Sequence, residues 1–301
     1  MASTQSKLLN FFLRTINKKR FLRERLAAGN TAFFHSPQPP SRIFKSCRVC
    51  TSQVNGRSVF TLSPRNKKES GTHILYLHGG AYVQNFVLFH WDFLAEMIRR
   101  TGCTITALDY PLAPDHTFKE SFAAAEILYR RLTAVAYPRK LILMGDSSGG
   151  GFALALAQTM KKEHIAQPAQ IILLSPWLDI TLSNPRINDL GGMPPFLGIE
   201  GLRKAGALYA AGADPAHYQL SPINGSLEGL GKISIFIGTN DILLADAKKL
   251  KLMAGSKGID ISYYEYEGMF HAWMFLNFPE AKKAKQQIAD IILLKAGEDP
   301  A

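Results

Sequence analysis

Cysteine is scarce. Three residues, an odd number, cannot build the disulfide framework that staples small secreted domains. Cys47 and Cys50 form a single C-x-x-C with no second pair to complete a zinc site, and no helix follows them as a redox motif requires. Long apolar runs are missing as well. No window approaches the ~18 apolar residues that span a bilayer. Arg14, Lys18, Lys19 and Arg20 interrupt every apolar stretch near the N-terminus that could serve as an export signal. Unpaired thiols and no export signal lead to an expected location in the cytoplasm. Metal-ligand clusters and phosphate-cradling glycine loops are also lacking, so no metal and no other cofactor is expected.

Acidic residues are in deficit: 24 Asp and Glu stand against 35 Lys and Arg, a formal charge of +11. Such an excess raises nucleic acid and anionic membranes as partners. The basic residues are dispersed, however, with small clusters at Lys18-Lys19-Arg20, Lys67-Lys68 and Lys282-Lys283, and no nucleic-acid-binding signature accompanies them. A solvated basic surface is the expectation, with no nucleic-acid partner. The remaining composition, 47% hydrophobic and 20% charged over 301 residues, is ordinary and leaves room for a sizeable core.

What is present is a rhythm. Apolar runs at 72–78, 103–110, 140–145, 169–175, 232–238 and 261–266 read as strands. Helical spacing alternates with them at 91–100, 119–132, 151–163, 246–255 and 279–297. Strands that are apolar throughout, alternating with helices, predict an α/β fold with a mostly parallel sheet covered on both faces. Residues 47–50 read as irregular or β. The rhythm breaks between Ser183 and Tyr218, which carry Gly191-Gly192-Met193-Pro194-Pro195 and a helical patch at 202–211. Residues 7–27 show one apolar helical face opposite a basic one, and Pro37-Gln38-Pro39-Pro40 reads as a linker. Residues 1–45 and 183–218 are therefore expected to form a helical cap over a catalytic domain of 46–182 and 219–301.

The stretch GDSSGG places Ser147 between the apolar strand LILM and the helical run GFALALA. Two unrelated hydrolytic machines share such a serine. One is all-β, usually disulfide-bonded, with its residues in the order His, Asp, Ser; this chain fails it on order, cysteines and context. The other is the strand–turn–helix elbow, whose small residues let strand and helix close on a sharp turn. A serine alcohol is a weak nucleophile and needs a base, which in turn needs an orienting acid. Asp241 lies just past the strand ISIFIG, and His271 just past ISYYEY, at the same sheet edge as Ser147. Asp246 is the nearest rival acid, and His164 and His217 are the later histidines that compete for the base. Gly79, Gly80 and Ala81 follow the strand THILYL, where backbone N–H groups can reach a developing oxyanion; the N–H of Ser148 is a further donor. His78 is read as a brace for this loop.

HGGAY, DYPLAPDH, GDSSGG, SPWLD, GTNDILL and YEGMFHAW, in that order across residues 73–276, resemble the motifs of the hormone-sensitive-lipase-like family of α/β-hydrolase esterases. The resemblance implies an α/β-hydrolase fold with a helical cap and a serine carboxylesterase active on short-to-medium acyl esters through an acyl-enzyme. It implies Ser147, Asp241 and His271 as the triad, and Gly79, Gly80, Ala81 and Ser148 as oxyanion loop and elbow. Ala81 stands where the family has a third glycine, and Ser148 where it has alanine; the backbone N–H groups survive both changes. Leu230-Gly231-Lys232-Ile233 replaces the family's Pro-Pro ahead of the acid.

Aromatic and Met residues near these motifs, Tyr82, Phe86, Met193, Phe196 and Phe270 among them, are candidates to line an apolar substrate pocket. The expected partner is a small-molecule ester, with a homodimer compatible. Two other readings stay open: a lipase or phospholipid acylhydrolase docked on a membrane surface through the basic N-terminal helix, and a small-ligand-binding protein on the same scaffold.

Overall fold

The computed structural model of the chain describes residues 3–6, 24–25, 35–66, 68–135, 141–187 and 197–294. Eight strands form one sheet: β1 (Cys47–Val54), β2 (Arg57–Pro64), β3 (His73–Leu77), β4 (Thr104–Leu108), β5 (Leu141–Asp146), β6 (Gln170–Leu174), β7 (Lys232–Gly238) and β8 (Ile261–Tyr266). Their spatial order is β1-β2-β4-β3-β5-β6-β7-β8. The six strands expected from the apolar runs, β3 to β8, are all parallel to one another, while β2 runs antiparallel to both β1 and β4.

The β1–β2 hairpin is a finding beyond the sequence reading. Asn55 and Gly56 both have positive φ, 49° and 73°, and so make the two-residue turn whose twist suits a hairpin. β1 is an edge strand with exposed polar residues along most of its length, which is why its sequence shows no apolar run.

Alternate residues of each buried strand enter opposite apolar layers. Leu75, Leu77, Leu143, Leu173 and Ile235 meet α2 (Phe118–Val135), α3 (Ser148–Lys162) and α5 (Leu244–Gly255) on one side. Ile74, Tyr76, Met144, Leu174 and Phe236 meet α1 (Leu88–Thr101) and α6 (Pro279–Leu293) on the other. The helix α4 (Ile199–Ala210) buries Leu202, Ala205 and Tyr209 against the first layer.

The segment 37–40, read as a linker, is anchored at its start and partly buried. The Ser36 carbonyl accepts the Trp91 indole N–H at 2.7 Å, Ser36 N–H donates to the Phe86 carbonyl, and Pro39 is buried. The proline-rich stretch is thus docked on α1. Ser3 donates its hydroxyl to Glu280 at 2.9 Å at the start of α6. The amphipathic pattern of 7–27 lies outside the described residues apart from Glu24 and Arg25. Among the described residues no helix is long and apolar enough to cross a membrane.

Candidate active site

Ser147 is the single residue between β5 and α3, and its backbone is strained, with φ 52° and ψ −122°. The turn is held on three sides. Ser147 N–H donates to the Leu174 carbonyl at 2.9 Å, and its own carbonyl accepts from Gly150, Gly151 and Trp177 at 3.1, 3.1 and 2.8 Å. Only glycine fits beside it. A Cβ on Gly145 would land on the Gly149 carbonyl oxygen, and one on Gly149 would land on that of Leu77. Strand and helix therefore touch backbone to backbone, which leaves the serine at the tip of the turn and at the N-terminus of α3, where the helix dipole favours negative charge.

The loop after β3 sits on a buried carboxylate. Asp146 Oδ1 accepts the Gly79 N–H at 2.9 Å and the Tyr76 hydroxyl at 2.5 Å, and its Oδ2 faces His90 Nε2 at 3.4 Å. Burial alone would disfavour this charge, but the donors of His90, Tyr76 and Gly79 outweigh it and hold Asp146 below the usual carboxylate range. The Gly79 N–H, one of the donors expected from the sequence to face an oxyanion, is engaged by Asp146. Gly80 has φ 127°, and a Cβ there would land on the Gln84 carbonyl oxygen. His78 braces the loop. Its Nδ1 donates to the Gly79 carbonyl at 2.7 Å, its ring stacks on Tyr110 at 4.3 Å, and its carbonyl accepts the Tyr110 hydroxyl at 2.7 Å. Burial drives its imidazole down to about 3, so it is neutral.

Asp241 and His271 come together from two loops. Asp241 Oδ2 and His271 Nδ1 are 2.8 Å apart, and Asp241 Oδ1 accepts the Leu243 N–H at 3.1 Å. The loops are zipped by Asn240 N–H on the Met269 carbonyl at 2.8 Å, the Asn240 amide on the Gly268 carbonyl at 3.1 Å, and Gly268 N–H on the Thr239 hydroxyl at 2.7 Å. Ser175 then ties this assembly to the elbow. Its hydroxyl accepts the N–H of Ala272, the residue after His271, at 3.2 Å, and Ser175 itself follows Leu174, whose carbonyl holds the Ser147 N–H. Burial pushes the His271 imidazole down, but the Asp241 carboxylate, with a smaller pull from Asp146, outweighs it and raises the imidazole above its ordinary value.

The rivals fall away from this cluster. Asp246 lies in the first turn of α5 and bonds Asn184 at 3.0 Å rather than a histidine. His164 and His217 are exposed. Of the expected pocket residues, Tyr82 is fully buried and stacked on Tyr209 of α4, ring centroids 3.9 Å apart, so α4 rests directly on the residue that follows the oxyanion loop. Phe86 and Phe270 are not brought to this wall. They lie in the apolar layer on the opposite side of the sheet, Phe86 against His78 and Trp91 and Phe270 beside Phe278. Met193 and Phe196 lie outside the described residues. Sequence reasoning missed Asp146, His90, Tyr76 and Ser175. The one available signal was Asp146 itself, a charge at the end of an apolar strand, which demands buried partners.

A family model described as alpha/beta hydrolase fold matches residues 74–275 of the chain. An esterase of Acinetobacter venetianus is 32% identical over 222 residues, 72% of this chain and 73% of that protein. An acetyl-hydrolase of Streptomyces hygroscopicus is 29% identical over 237 residues, 78% of this chain and 79% of that protein. A solved esterase from the bacterial hormone-sensitive lipase family superposes with a TM-score of 0.82 at 26% identity, covering 99% of this chain and 100% of its own. EstE5, in a crystal soaked with p-nitrophenyl butyrate, gives a TM-score of 0.82 at 27% identity, covering 97% of this chain and 98% of its own.

Proposed function

The chain belongs to the hormone-sensitive-lipase-like family of α/β-hydrolase carboxylesterases, and from that premise we propose that it hydrolyses short-to-medium acyl esters through Ser147, Asp241 and His271. The observation that carries this reading is the Asp241–His271 pair, 2.8 Å apart and tied through Ser175 to the strained elbow of Ser147.

Ser147 Oγ attacks the ester carbonyl carbon and gives its proton to His271, which Asp241 holds in the tautomer with Nε2 free to receive it. The carbonyl electrons move onto oxygen, where the N–H groups of Gly80, Ala81 and Ser148 meet the charge. Collapse of the tetrahedral species breaks the ester C–O bond, and the departing alkoxide takes the proton back from His271. Water, deprotonated by His271, then attacks the acyl-serine; the acyl–Oγ bond breaks, Ser147 Oγ takes the proton back from His271, and the acid is released. Residues 1–45 and 183–218 act as the cap; for the second segment this role is supported by the Tyr82–Tyr209 stack, which seats α4 on the residue after the loop. The cytoplasm is the compartment that suits Cys47, Cys50 and Cys103, which are thiols rather than disulfides.

Hydrolysis of p-nitrophenyl esters from acetyl to palmitoyl, with Ser147→Ala beside the native protein, tests this. Activity is expected to peak at short chains and to fall on the order of a millionfold in the variant. A second reading, a lipase working on a lipid surface, has one observation in its favour: Phe44, Leu88 and Phe89 are exposed on the turn 43–46 and the adjoining start of α1. A peak at long chains would select it. A folded protein that turns over no ester would point to ligand binding on this scaffold.

A further inference from the structure

His90 is a buried histidine that the reaction does not use. It sits in the first turn of α1 and is 5% exposed, with Phe86 and Phe275 edge-on to its ring at 5.8 and 5.4 Å. Both ring nitrogens are engaged. Nδ1 accepts the Val87 N–H at 3.0 Å, which caps the helix, so the ring proton resides on Nε2, which faces Asp146 Oδ2 at 3.4 Å.

The two oxygens of Asp146 have unequal company. Oδ1 holds the Gly79 N–H and the Tyr76 hydroxyl, whereas Oδ2 faces His90. A carboxylate gripped at one oxygen only can swing about its Cβ–Cγ bond; a donor at the other fixes the plane. Gly79 directly precedes Gly80 and Ala81, whose N–H groups serve the oxyanion, so a swing of Asp146 is transmitted to those donors within two residues.

We propose that His90 is a positioning residue for the oxyanion loop, acting through Asp146 on the Gly79 N–H. The proposal rests on the esterase reading for its effect on rate, and on geometry alone for its effect on the loop. The ordinary alternative is that His90 is only a helix cap.

Two amides separate these jobs. His90→Gln places an N–H donor near the Nε2 position and offers nothing at Nδ1. His90→Asn places a carbonyl oxygen near Nδ1 and offers nothing to Asp146. Each variant is compared with the native protein in steady-state hydrolysis of a short-chain p-nitrophenyl ester, in amide exchange of residues 78–82 followed by mass spectrometry, and in melting temperature.

His90→Asn is expected to lose on the order of a hundredfold in kcat with KM little changed, and to exchange faster in the loop. His90→Gln is expected to keep kcat and loop protection near native while melting lower, because it has lost the cap. The reverse order, or losses in both variants that simply follow melting temperature, would overturn the proposal and leave His90 a cap. If the native protein hydrolyses no ester, the esterase reading fails separately. The exchange data then decide alone: a loop loosened in His90→Asn but not in His90→Gln upholds the positioning role, and equal protection in both rejects it.

Discussion

Around Ser147 the geometry is set by backbone and by absent side chains, whereas around His271 it is set by side chains reaching across two loops. On the first side Gly145, Gly149 and Gly80 each occupy a place where a Cβ would strike a carbonyl oxygen. On the second, Asp241, Asn240, Thr239 and Ser175 supply the contacts one hydrogen bond at a time. The halves should therefore fail in opposite ways. Adding an atom damages the elbow and oxyanion loop; removing one damages the acid–base pair.

The largest effect on the side-chain half is expected from Asp241→Asn, which keeps the volume and removes the charge. A loss on the order of 10⁴ in kcat is expected, as for an orienting acid that no longer sets the tautomer. The pH profile should move with it. In the proposed mechanism turnover needs neutral His271, so kcat/KM is expected to rise with pH through the imidazole pKa, which Asp241 holds above its ordinary value against the effect of burial. Without that carboxylate, burial is opposed chiefly by the weaker pull of Asp146, and the acid limb shifts to lower pH. The linked effect on stability has a fixed sign. The raised pKa favours the imidazolium in the folded state, a stabilisation complete below about pH 6.5 and lost as pH rises through the folded value. An unmoved acid limb in Asp241→Asn would contradict the assignment of His271 as the base it orients.

Gly80→Ala is the matching perturbation on the backbone half, and a smaller one. The added methyl would land on the Gln84 carbonyl oxygen at a φ of 127° that L side chains rarely adopt, so the loop must shift. The expected cost is on the order of 10²–10³ in kcat, the loss of one oxyanion donor, while the Asp241–His271 pair and its acid limb stay as they are. A shifted limb would mean that the two halves are not separate.

The same contrast governs how much could be read before the structure was known. Strands β3 to β8 were legible because parallel strands buried on both faces are continuous apolar runs. The hairpin β1–β2 was not, because its edge strand is polar. Helix α3 starts at Ser148, three residues ahead of the expected start, since Gly149 and Gly150 hide its first turn from propensity. Ser147, Asp241 and His271 were expected on one sheet edge because each lies just past a strand legible in the sequence. Which N–H of Gly79-Gly80 is free, and which aromatics face which layer, depend on long-range contacts. Nothing local relates His90 to Asp146, 56 positions apart, and nothing local turns Phe86 and Phe270 toward the far side of the sheet.

Asp246 supplies the finest test, because it is Asp241's near neighbour in sequence and its opposite in surroundings. It is 1% exposed, its Oδ1 takes the Asn184 amide at 3.0 Å, and its Oδ2 has no hydrogen-bond partner among the described residues. Burial raises its carboxyl to about 6, with Asp179 adding to the rise and Asn184 easing it. The folded state thus prefers the protonated form. Its stability contribution is intact below the ordinary carboxyl value near 4 and is lost as pH rises through the folded value. Asp246→Asn keeps the acceptor for Asn184 and cannot ionise. It should stabilise the protein by on the order of 2 kcal/mol at pH 8 and by much less at pH 4, read from denaturant unfolding at both. Equal effects at the two pH values would mean that the carboxyl does not titrate as its burial requires. Turnover should barely change. If Asp246→Asn abolished turnover and Asp241→Asn spared it, the two carboxylates would have to exchange roles.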